Sequence, residues 1–154
     1  MGVFDAADAL ATWVGLTLAG AALVAAALAI PAAPPPDATA VAATIDRVAA
    51  SDYDADEAVH LDADSVRVTP RSIGLRGSGG RASAALVARV VPVPPDGPLA
   101  AVLAGRDPAL VFDTSVAFVR AAAAARAQPP VWRAAETLRV RHLAWRGTDV
   151  VLVG

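Results

Sequence analysis

The sequence predicts an α+β architecture: an N-terminal transmembrane helix followed by a small globular head with an antiparallel sheet and two or three helices. Three features predict it: residues 9–30 contain no ionisable side chain, prolines follow at once, and the remaining chain shows strand-type alternation, then helical stretches, then a closing strand pair. The expected boundaries are an anchor at residues 1–30, a Pro-rich linker at 31–36 and a head at 37–154.

At about 1.5 Å rise per residue, a helix over residues 9–30 spans roughly 33 Å, enough to cross a bilayer core. Leu10, Val14, Leu16, Leu18, Leu23, Val24, Leu28 and Ile30 together favour insertion by about 2 to 5 kcal/mol before Thr12, Gly15, Thr17 and Gly20 subtract from it. Trp13 stands near the start, where an indole suits headgroup level. Pro31, Pro34, Pro35 and Pro36 end the helix, because proline lacks the amide donor and biases its predecessor away from helix. Ala27-Leu28-Ala29 leaves cleavage as a secretory signal open, although residues 1–8 offer only Asp5 and Asp8 where a signal peptide carries positive charge. An Ala-rich core helix is a further alternative, but soluble helices of this length carry a polar face and this one has none. Flanking charge hardly orients the anchor, since the only Lys or Arg near it is Arg47; the head is expected outside the cell membrane, because long domains cross largely regardless of charge.

In the head, Asp37 is a good N-cap for a helix to Ala50, with Val41, Ile45 and Val48 on one stripe. Asp52 to Glu57 reads as an acidic loop. Ser65 to Thr69 alternates Val66 and Val68 with polar neighbours, the period of a half-buried strand, and Ile73 to Arg76 is a second. The glycine-rich run from Arg76 to Arg81 reads as a turn, followed by a longer apolar strand over Ala84 to Val93 that Pro94, Pro95 and Pro98 close. A short helix over Leu99 to Ala104 stops at Gly105, and Asp113 or Thr114 caps a stronger one through Ala127 that Pro129 and Pro130 end. Thr137 to Trp145 then alternates Leu138, Val140 and His142 with Arg139, Arg141 and Leu143, and Arg146-Gly147-Thr148 turns into a strand over Val150 to Val153.

Composition sets limits on chemistry. All thirteen basic residues are Arg, thirteen of the fifteen acidic residues are Asp, and there is no Cys, so disulfides and thiolate metal sites are excluded. A net charge of −2 argues against a nucleic-acid partner. Asp52, Asp54 and Asp56 have the spacing that opens a calcium loop, yet Glu57 stands where the turn glycine belongs and Ala63 where a bidentate Glu would close the site. Gly74, Gly77, Gly79 and Gly80 fit a hairpin better than a phosphate loop, since a chain without Lys cannot form the Walker A pattern. His60 and His142 lack the context of a zinc or nucleophile motif. Arg133, Arg139, Arg141 and Arg146 gather near Trp132 and Trp145, either as an Arg and aromatic binding surface or as a sheet face paired with Asp side chains. No catalytic, cofactor-binding or metal residue is assigned from these patterns.

Phe4-Asp5-Ala6, Thr12-Trp13-Val14-Gly15-Leu16, Ala33-Pro34-Pro35-Pro36-Asp37, the helix Thr44-Ile45-Asp46-Arg47-Val48-Ala49-Ala50-Ser51, the hairpin Ile73-Gly74-Leu75-Arg76 with Gly79-Gly80, and Val151-Leu152-Val153-Gly154 together resemble a family of uncharacterised haloarchaeal single-pass membrane proteins. The resemblance covers nearly the whole chain. It implies an envelope or pilus-associated role, because that family tends to accompany genes of type IV pilus or secretion-type machinery. Likeness to true pilins is weaker: a basic leader is missing before the apolar run, and prolines interrupt the helix where a pilin continues it. The expected function is therefore a non-catalytic accessory or structural component that contacts lipid through residues 9–30 and protein partners through its head. An anchored hydrolase using His60 or His142, and a ligand- or ion-binding head using the acidic loop, are the alternatives.

Overall fold

The computed structural model describes residues 33–154. The candidate anchor at residues 9–30 lies outside them; among the described residues no helix is long and apolar enough to cross a membrane.

Helix α1 (Ala38–Ala49) begins where predicted, with an Asp37 side-chain oxygen accepting from the Ala40 amide at 2.9 Å. Its stripe of Val41, Ile45 and Val48 is buried. Eight strands follow, β1 (Ala55–His60), β2 (Ser65–Thr69), β3 (Ser72–Gly77), β4 (Gly80–Ala85), β5 (Val91–Pro92), β6 (Arg133–Ala134), β7 (Thr137–Trp145) and β8 (Thr148–Val153). Between β5 and β6 lie helices α2 (Pro98–Leu103), α3 (Pro108–Val111) and α4 (Ser115–Ala127).

The strands make two four-stranded sheets rather than one, in the orders β1-β7-β8-β5 and β4-β3-β2-β6. The second sheet is antiparallel throughout, while in the first β5 runs parallel to β8. One core cluster lies between the sheets and under α1, joining Ile45 to Val66, Val68, Ile73 and Leu75 and to Leu138, Val140, Val151 and Val153. A second covers the other face of the first sheet, where Val91, Leu143, Val150 and Leu152 meet Leu99, Val102, Phe118 and Ala122 of the helices. Strand β8 is therefore buried on both faces, which is why Val150 to Val153 is continuously apolar instead of alternating. Phe118 anchors the helical layer, edge-on to Phe112 at 5.3 Å and to Trp145 at 5.8 Å between ring centroids.

The β7–β8 connection is the expected tight turn: Arg146 and Gly147 have φ of 48° and 77°, the left-handed pair that matches the twist of a two-residue hairpin. Thr114 caps α4 by accepting from the Ala117 amide at 3.2 Å. Two further expectations are corrected. Residues 52–57 are not simply an acidic loop, because Ala55–His60 pairs with β7 as an edge strand; its charges suit an exposed edge, and they hid it from a search for apolar alternation. The apolar stretch 84–93 is not one strand. Strand β4 starts at the hairpin, with Gly77 opposite Gly80, and ends at Ala85; Leu86 and Val90 then enter the first core while Val91 and Val93 enter the second. Leu143, whose side the mixed alternation of residues 137–145 leaves open, faces inward, because helices cover the face that would otherwise be wet. Helix α3, capped by Asp107 accepting from the Ala109 amide at 2.8 Å, and strand β6 were not anticipated, being only four and two residues long.

The bend between β4 and β5 is held from α1. The Asp46 carboxylate accepts from the Val87 amide at 3.1 Å to each oxygen and from the Ala88 amide at 3.0 Å. One helical carboxylate thus supplies acceptors to two backbone donors that no strand ladder reaches.

Candidate functional site

The acidic triplet is dispersed by the fold. Asp54 accepts from the Ala144 amide at 2.9 Å and so ties the start of β1 to β7, whereas Asp56 sits on the strand opposite Arg141. Glu57 faces α1 and makes a two-pronged contact with Arg47, at 2.9 and 3.1 Å. Glu57 thereby holds the Arg47 guanidinium above its ordinary pKa, through hydrogen bonding first and charge second. No group of three His, Asp or Glu side chains converges to hold a metal ion among the described residues.

The histidines lie apart. His60 is exposed, with its Nε2 3.9 Å from the exposed Asp62 carboxylate. His142 is buried in β7, with Nδ1 3.1 Å from the Tyr53 carbonyl and Nε2 2.8 Å from Asp149 Oδ1. Both ring nitrogens are engaged with oxygen partners. The imidazole thus works as a clasp between the segment before β1 and the β7–β8 hairpin. Of the surface cavities beside Pro94 and Pro95, at Asp107 and at Trp132, none is lined by either histidine.

The arginine and tryptophan group expected at the carboxyl end is divided, and among the described residues its arginines do not pair with Asp. Arg133 donates to the Val93 carbonyl at 3.0 Å, and Arg141 donates to the carbonyls of Val102 and Arg106, tying α2 to the first sheet. Arg146 stacks over Trp145 at 5.1 Å, and Arg139 is exposed. Arg126 of α4 donates from Nε to the Val90 carbonyl at 3.3 Å, and its pKa lies below the ordinary value through burial first and the charge of Arg89 second.

Trp132 goes elsewhere. Its ring lies against the outer face of the second sheet, with the guanidinium carbons of Arg67 and Arg76 at 5.0 and 4.4 Å from its centroid. Gly74 makes room for it: a Cβ there would stand 3.2 Å from the indole. Arg67 is directly opposite Gly74, and Arg76 directly opposite Arg81, so two arginines stack on the ring and a third stands across the strand from one of them. Sequence reading missed this group because its members are up to 65 positions apart (132 − 67) and only strand register joins them. The usable signal was a glycine at the centre of a strand, which often marks close approach of another group.

A model for a Family of unknown function (DUF7283) matches residues 5–143. No curated protein and no solved structure matches the chain.

Proposed function

The chain belongs to the DUF7283 family, and on that premise we propose that it is a single-pass envelope protein whose head contacts partners in a pilus- or secretion-like assembly without catalysing a reaction. The observation that carries this reading is the run at residues 9–30 without an ionisable side chain, whose eight large apolar residues favour transfer to lipid by about 2 to 5 kcal/mol before its threonines and glycines subtract from it. The resemblance to haloarchaeal single-pass proteins supports the setting and the pilus or secretion context. An extracellular head fits the same picture.

The head's chemistry supports a contact role over catalysis. His142 has both nitrogens engaged, whereas a general base needs one free toward substrate. Leu110, Val116 and Val119, on or beside the outer helices, expose apolar side chains at 82%, 65% and 44%, and such groups suit a protein contact. Affinity purification of the full chain from detergent-solubilised membranes tests the reading. Co-purification of envelope assembly components above background is expected; recovery of the chain alone would contradict it.

A further inference from the structure

We infer that the outer face of the second sheet carries a binding site for a phosphate-type oxyanion, with Arg67, Arg81 and Ser83 as its donors and Trp132 as its wall. The strand register assembles it. Arg67, Gly74 and Ser83 form one row across β2, β3 and β4, and Ser65, Arg76 and Arg81 form the next row on the same face. Val66, Val68, Ile73 and Leu75 occupy the opposite face in the core, so the arginine face is committed to the outside. A cavity of about 200 Å³ opens there, lined by Arg67, Gly74, Arg81, Ala82, Ser83 and Trp132. That is room for a phosphoryl group and its first waters.

The charge pattern needs an explanation that the fold alone does not supply. Among the described residues the ion pairs are Arg47 with Glu57 and the two histidines with Asp, so no carboxylate lies within pairing distance of Arg67, Arg76 or Arg81. Arg133, Arg141 and Arg126 use their N–H groups on backbone carbonyls, whereas the Arg76 Nε is buried without any partner. Arg76 and Arg81 also stand directly cross-strand, where like charges repel. A chain with fifteen acidic residues leaves this cluster uncompensated.

An oxyanion completes it. The Trp132 ring holds the Arg67 and Arg76 guanidiniums by cation–π contact, which fixes their position without consuming their hydrogen-bond donors. Two guanidinium forks and a hydroxyl match an anion with three or more oxygens better than a two-oxygen carboxylate, and Arg76 adds charge from beside the ring. Free phosphate and a phospholipid headgroup present the same group.

The test uses the full chain in neutral detergent, titrated by calorimetry at constant ionic strength with inorganic phosphate, with acetate, and with soluble short-chain phosphatidylglycerol or phosphatidylcholine. Saturable 1:1 phosphate binding, weaker for acetate and reduced about tenfold by either Arg67→Gln or Arg81→Gln, is expected. Arg81 is exposed, so Arg81→Gln keeps the fold, and an unchanged circular dichroism melt verifies that. Binding of phosphatidylglycerol but not of free phosphate or phosphatidylcholine, with the same loss in the variants, supports the site and assigns its source to lipid. Absence of binding by both phosphate and phosphatidylglycerol, acetate binding as tightly as phosphate, or variants that bind like the wild type would overturn it.

Discussion

Replacing Asp46 probes how the head joins α1 to the irregular link between its sheets. The carboxylate lies in the last turn of α1, where negative charge opposes the helix dipole, and aspartate is a weak helix former; its value therefore comes from the Val87 and Ala88 amides. A hydrogen bond to a charged acceptor contributes roughly 1.5 to 3 kcal/mol where water cannot replace it. Ala88 is half-buried and loses that amount, whereas exposed Val87 turns to solvent at little cost. Asp46→Ala recovers about 1 kcal/mol from better propensity and relief of the dipole, leaving a net loss of about 0.5 to 2 kcal/mol. Asp46→Asn keeps one acceptor oxygen and loses about half as much. Urea unfolding of the full chain in detergent, followed by tryptophan fluorescence, reads the loss, and amide exchange at Val87 and Ala88 localises it. An Asp46→Ala midpoint equal to wild type, with both amides still protected, would refute the reasoning.

Three further substitutions test other parts of the structure. Phe118→Ala removes the ring between Phe112 and Trp145 and is expected to destabilise the head by about 3 to 5 kcal/mol, with loss of the near-ultraviolet dichroism of Trp145. His142→Leu leaves the Tyr53 carbonyl without its ring partner and frees Asp149 to water; a loss of about 1 to 3 kcal/mol in a denaturant melt, with faster exchange around residues 53–55, is expected. Leu18→Arg costs the anchor about 2.5 to 3.5 kcal/mol of insertion energy and is expected to move a large fraction of the chain into the carbonate-soluble supernatant, where wild type stays in the pellet.

The elements that could be read from the chain are those whose local chemistry agrees with the final packing. Asp37 and Thr114 cap helices at both levels, and Arg146-Gly147 turns where a left-handed pair is required. Strand β1 escaped notice because a charged edge strand presents no apolar period: Val59 is its only strong strand former. The 84–93 stretch misled for the opposite reason, since its apolar residues serve two cores and the chain must bend between them. Arg133 and Arg141 were visible as charges, but the backbone carbonyls they reach are set by tertiary structure. Trp132 joined the wrong arginines for the same reason, because the register of β2 with β3 has no signature near residue 132.

The account turns most directly on whether residues 9–30 hold the mature chain in a membrane with its head outside. Protease treatment of intact cells, followed by mass mapping of the membrane-retained fragments, measures both. The account predicts digestion of the head and a surviving, uncleaved N-terminal fragment in the membrane. Recovery of the intact, unprocessed chain from the soluble cell fraction, protected from external protease, would contradict it.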